Sequence, residues 1–170
     1  MFDKIEKTKD ILVTSVMMIT MSIATLVAFT NVVLRYVFNM SLVWAGELTS
    51  YLFIWSALFG AAYGFKIGMH IGVTALIQAI RPKVAKYILT VSLIITLIFM
   101  MVMVKWGYDL VMFNKMIGQV SVDLGIPFWV IYLCVPIAMI IAVYEILVKI
   151  IQIIRTPGED FHYETIMKGH

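Results

Sequence analysis

The stretch that decides the fold is Arg35-Tyr36-Val37-Phe38-Asn39, a short polar break, Trp44-Ala45-Gly46-Glu47, an apolar run to Phe65, and then Lys66-Ile67-Gly68-Met69-His70. It reads as the end of one membrane helix, a tight turn at the bilayer surface, and a second helix that returns across. Arg35 and Glu47 are opposite charges on the two arms of that turn, at similar depth. Two readings of them stand: a partly desolvated salt bridge, or Arg35 snorkelling to the headgroups while Glu47 faces water. Beyond the turn, Ser56, Gly60, Gly64, Gly68 and Gly72 recur every four residues, which lays small residues along one side of the second helix. That face packs either within the chain's own helices or on another subunit.

Working outward, the composition sets the class. The chain is 62% hydrophobic, with a mean hydropathy of +0.99, and its charge is confined to short clusters. Four stretches reach the roughly 18–20 apolar residues that cross a ~30 Å hydrocarbon core. The short alternating segments of a membrane barrel are not found in the sequence. The expected fold is an all-α integral membrane protein with four transmembrane helices.

The spans are expected at 11–34, 42–65, 84–113 and 126–154, forming one membrane domain over 1–155, with a polar tail over 156–170. The first ten residues form a polar leader. The run after them is longer than the 7–15 residues of a signal-peptide core and has no convincing cleavage site, so it is read as an uncleaved helix. Between spans two and three, Ile71, Val73, Leu76, Ile77 and Ile80 fall near helical spacing, which suits a short amphipathic helix on the membrane surface. Arg81-Pro82 suits a helix start. The turn between spans three and four is expected over 114–125, and the fourth span opens at Ile126-Pro127. Pro136 lies inside that span and should kink it.

Basic residues fix the expected orientation. Of thirteen, Lys4, Lys7, Lys9, Lys66, Arg81, Lys83, Lys86, Lys149, Arg155 and Lys168 fall on the side of the termini; Arg35, Lys105 and Lys115 fall on the other. The positive-inside rule places both termini and the middle loop in the cytoplasm. Trp44, Trp106 and Trp129 map to the opposite boundary, where amphipathic rings prefer to sit.

Depth decides between carrier and scaffold, because an intramembrane charge usually serves ions, protons or substrate. Arg35, Glu47, Lys105 and Asp109 are placed at the outer edge, and Lys66, Glu145 and Lys149 at the inner edge. With these bounds the middle third of every span lacks Asp, Glu, Lys, Arg and His. Glu145 and Lys149, four apart, suit an ordinary intrahelical pair. Catalysis and cofactors find little support. The single Cys134 excludes an internal disulfide and reads as a small apolar residue. Haem ligation would need His or Met on facing helices, and His70, His162 and His170 all lie outside the spans. The thirteen methionines read as apolar filler. There is no phosphate-binding glycine loop, and nothing supports nucleic-acid binding. The chain reads as a non-enzyme with no cofactor and no metal.

The run Leu34-Arg35-Tyr36-Val37-Phe38-Asn39, Ser41-Leu42, Trp44, Glu47, Tyr51-Leu52-Phe53 and Trp55 resembles the small membrane subunit of TRAP (tripartite ATP-independent periplasmic) transporters, the Q-type or DctQ-like component. Gly60-Ala61-Ala62 through Lys66, Gly68, His70-Ile71 and Val73 continue the likeness. So does Ser121, Leu124-Gly125-Ile126-Pro127, Trp129, Tyr132 and Pro136-Ile137 at the entry to the fourth helix. Gly46 stands where members often carry a second Glu, Ser50 where an Arg is common, and Thr74 where an Asp often follows.

The resemblance implies a division of labour. A large membrane subunit binds sodium and substrate and moves them. A periplasmic substrate-binding protein delivers an organic anion such as a C4-dicarboxylate or sialic acid. The small subunit packs against the large one, among membrane lipids, as part of the fixed scaffold in a bacterial inner membrane. On that reading Arg35, Tyr36, Asn39, Trp44, Glu47, Trp55, Gly60, Gly64, Gly68, His70, Pro127, Trp129 and Pro136 are the candidate interface or structural residues. Two other readings stand beside it. An autonomous four-helix exporter would need an intramembrane carboxylate, and a membrane anchor of a redox complex would show a haem band.

Overall fold

The computed structural model describes residues 2–67 and 82–155. Among them the regular elements are all helices: α1 (Phe2–Val37), α2 (Val43–Ile67), α3 (Pro82–Ile117), α4 (Phe128–Tyr132) and α5 (Cys134–Arg155). No strand occurs among the described residues; one isolated antiparallel bridge joins Val120 to Pro127. Among the described residues four spans are long and apolar enough to cross a membrane, the fourth made of α4 and α5 together. Gly68, His70, the expected surface helix and the tail over 156–170 lie outside the described residues.

The helices outrun their expected bounds where polar residues tolerate helix. α1 takes in the charged leader, where Lys9 and Asp10 approach to 3.9 Å. It ends as Asn39 adopts a left-handed φ of 52°, a conformation that Asn accepts more readily than most residues. α3 starts at Pro82, as the sequence suggests, but runs on to Ile117. Asn114, expected in a turn, is therefore helical and buried, its amide donating to the Leu110 carbonyl at 2.8 Å. Gly118, with φ 70°, ends α3.

The fourth span is interrupted where Pro136 requires it. A proline cannot donate to the carbonyl four residues back, and its ring crowds that carbonyl; here that residue is Tyr132, the last of α4. The break falls at Leu133, whose N–H reaches Val130 O at 3.4 Å.

The chain divides into two compact units, Met1–Gly60 with Trp106–Pro136, and Ala61–Lys105 with Ile137–His170. In the second, Ala85, Leu89 and Leu93 of α3 form a buried core with Ile146 and Ile153 of α5, flanked by Phe65, Leu97, Met100 and Ile150. Spacings of four along α3 and of seven, two turns, along α5 put each set on one helix face. In the first unit, aromatic contacts knit α2 to α4. Tyr51 meets Phe128 edge-on at 6.3 Å, and Phe128 stacks on Tyr132 at 5.9 Å. Ile11, Leu12, Met18, Ile19, Leu26 and Phe29 of α1 stay exposed. Only 11% of the most apolar window of the first span is buried, against 39% in the fourth, so α1 has the larger face left for lipid or a partner.

Candidate functional site

The polar side chains of the first unit converge on backbone groups. Glu47, the fifth residue of α2, reaches the loop that joins α3 to α4. Its Oε1 accepts from Val122 N at 3.1 Å, and its Oε2 accepts from Asp123 N at 3.2 Å and Leu124 N at 3.3 Å. Three successive amides facing one carboxylate make a concave anion seat, and charge-assisted bonds of this kind are stronger than neutral ones. Ser121 closes the loop from inside. Its N–H donates to Ile126 O at 2.9 Å, and its hydroxyl oxygen accepts from Ile126 N at 3.2 Å. Gly125, at φ 66°, supplies the turn.

Glu47 is thus bonded to the loop, and among the described residues no ion pair joins it to Arg35. Arg35 lies exposed in the last turn of α1, with Tyr36 beside it 78% exposed. Of the two readings of this pair, the salt bridge is not the one realised. The first turn is held instead by Asn31, whose Oδ1 accepts from Leu42 N at 3.0 Å. Asn39 and Trp44 are exposed in the same turn.

Trp55 turns inward. Its indole Nε1 donates to the Ile131 carbonyl at 3.0 Å, just before the break in the fourth span, and its ring stacks on Phe59 at 5.9 Å. The Cys134 thiol donates to the same carbonyl at 3.2 Å. On the far side of the break, Pro136 lies against Gly107 of α3. A Cβ placed at Gly107 would stand 3.0 Å from Val135 Cγ1, 3.2 Å from Pro136 N and 3.3 Å from Pro136 Cδ. Pro127 caps α4 in extended conformation, so the helix begins at Phe128, two residues after the start expected at 126. Trp129 lies under the Lys115 ammonium, 5.7 Å from ring centroid to Nζ.

The small-residue face resolves toward packing within the chain at its first two members. The Ser56 hydroxyl donates to Met17 O at 3.1 Å, and a Cβ at Gly60 would meet Met17 Sδ at 3.2 Å. Gly64 is buried.

Glu145 and Lys149, expected at the inner edge, are both 5% exposed. Because the fourth span breaks at Leu133, α5 is a separate 22-residue rod over Cys134–Arg155. Glu145 stands ten residues before its end, about 15 Å at 1.5 Å per residue, so it lies midway along α5. Its charge acts on Lys149 one turn on. Glu47, by contrast, stays at the end of its helix.

The Glu47 seat, the Asn31 tie and the Gly107–Pro136 contact escape a reading by local pattern. The available signal for the first was the block Ser121, Leu124-Gly125-Ile126-Pro127, whose glycine and proline mark a shaped loop. Among the described residues no group of three or more His, Cys, Asp or Glu is placed to hold a metal ion.

A model of the family described as "Tripartite ATP-independent periplasmic transporters, DctQ component" matches residues 24–156. That segment contains all of the tethers just described except Met17. No curated protein matches the chain.

Proposed function

The chain belongs to the DctQ component family of the tripartite ATP-independent periplasmic transporters, and on that premise we propose that it is the small, non-catalytic permease subunit of a sodium-coupled importer of organic anions. It sits in a bacterial inner membrane with both termini in the cytoplasm, packs against a large membrane subunit, and works with a periplasmic substrate-binding protein. Its task is to stay still. A transporter that moves one domain against another needs a fixed counterpart, and this chain widens that fixed part.

The observation that carries this reading is how its polar groups are employed. Glu47, Asn31, Trp55 and Ser56 each bond the backbone of a different segment, so they tie elements together. Such ties stabilise a shape and leave those side chains occupied. The exposed apolar face of α1 offers a surface for lipid or the large subunit. The buried Glu145 is the feature that most resembles a carrier's carboxylate, and the Lys149 charge offsets it.

The test uses the full transporter in proteoliposomes with a sodium gradient and the binding protein. Assembly and uptake are measured for the chain carrying Glu145→Gln together with Lys149→Met. A scaffold keeps sodium-driven uptake whenever the complex assembles. Loss of uptake from a normally assembled complex, or sodium-driven uptake by this chain alone, overturns the proposal.

A further inference from the structure

The loop from Gly118 to Pro127 combines two properties that rarely meet in a loop facing water. From Ser121 onward its backbone donors are closed: every N–H from Ser121 to Phe128 has an acceptor, Pro127 having no N–H to place. Ser121 donates to Ile126 O, Gly125 to Ser121 O and Phe128 to Gln119 O. Val122, Asp123 and Leu124 donate to Glu47, and Ile126 donates to the Ser121 hydroxyl. Yet its apolar side chains point out. Val122 is 90% exposed and Val120 more than half exposed, and beside them Met116 and Ile117, at the end of α3, are exposed as well.

An ordinary surface loop has the opposite character, with polar side chains outside and amides hydrated. Closed amides with apolar side chains outside is what a bilayer demands of backbone near its hydrocarbon. The loop also joins two membrane spans over only ten residues, which keeps it near the interface. We infer that the tip of this loop at Val122 is immersed at the boundary between lipid headgroups and acyl chains, covered by phospholipid, and that the Glu47 carboxylate makes this immersion possible by occupying three amides that lipid could not satisfy. Asp123, exposed beside the tip, limits the depth to the headgroup boundary. The Lys115 ammonium over Trp129 is the aromatic and cationic anchoring usual at that level. The inference needs only that the helices span a membrane, and stands apart from the transporter reading.

The experiment places a nitroxide on Val122→Cys in the full chain, with Cys134→Ala removing the native thiol, in phosphatidylcholine vesicles. Power saturation compares collisions with oxygen, which concentrates in lipid, and with a water-soluble nickel chelate. The expected ratio of oxygen to nickel collisions is several-fold above that of a nitroxide free in buffer. Adding Glu47→Ala, at retained helix content, lowers the ratio several-fold and removes hydrogen-exchange protection at Val122, Asp123 and Leu124. A nickel-favoured label in the Glu47 background makes the loop aqueous and overturns the inference. A label shielded from both reagents shows a protein cover in place of lipid and overturns it too. An unchanged ratio in Glu47→Ala removes the role given to that carboxylate.

Discussion

The same substitution, glycine to alanine, should have opposite effects at two helical positions of this chain. At Gly46 in α2 an added Cβ would find no atom within 4 Å. Alanine there gains only the backbone preference for helix, so Gly46→Ala stabilises by about 0.5–1 kcal/mol. At Gly107 in α3 the added methyl would stand 3.0–3.3 Å from Val135 Cγ1 and the Pro136 ring. The ring is part of the backbone at the start of α5, so it cannot rotate aside as a free side chain does. Overpacking of this kind costs about 1–3 kcal/mol. Because the propensity gain is common to both sites, the difference between the two variants isolates the packing cost at about 1–3 kcal/mol. Gly60 lies between them: its one close neighbour is the Met17 sulfur at 3.2 Å, the far part of a flexible side chain, so Gly60→Ala is expected near neutral. The assay is reversible unfolding of the purified chain in mixed micelles, followed by helix content and tryptophan emission. A Gly107→Ala protein as stable as Gly46→Ala would refute the claim that α3 and the broken fourth span meet backbone to backbone.

Three further outcomes are expected. Trp55→Phe keeps the stack on Phe59 but removes the indole bond to Ile131 O, and should cost about 0.5–1.5 kcal/mol in the same unfolding assay; a full-sized Trp55→Phe stability would mean the bond is immaterial. Arg35→Ala and Glu47→Ala should add without coupling, since Glu47 is bonded to residues 122–124 and not to Arg35; a coupling clearly above about 0.5 kcal/mol in the double-mutant cycle would show that the two charges do act on one another. Lys149→Met alone leaves Glu145 buried with its counter-charge gone and should destabilise by about 3–5 kcal/mol. Adding Glu145→Gln should recover most of that loss, and a double variant as unstable as the sum of the singles would show that the two are not a pair.

Hydropathy made the four spans legible, because length and apolarity are properties of each segment by itself. Pro82 and Pro136 were legible for a local reason too: a proline constrains its own backbone and the residue four before it. The Ser56–Gly60 face was readable from its period. What could not be read was any contact between distant segments. Glu47 and Val122 are 75 residues apart, and nothing near Glu47 says which backbone it meets. Charge proximity across the first turn pointed to Arg35, whereas three convergent amides give a carboxylate more bonds than one flexible guanidinium at the surface. Gly107 has no periodic companions, so its close approach to Pro136 left no pattern.

That break also sets where the chain tolerates changes in length. Ile131 is held by Trp55 of α2 and Pro136 by Gly107 of α3, two anchors only five residues apart on the chain. One residue gained or lost between them turns everything on one side by about 100°, the angular step of an α-helix, and no rotation of side chains restores both attachments. Insertions and deletions among relatives should therefore avoid 131–136.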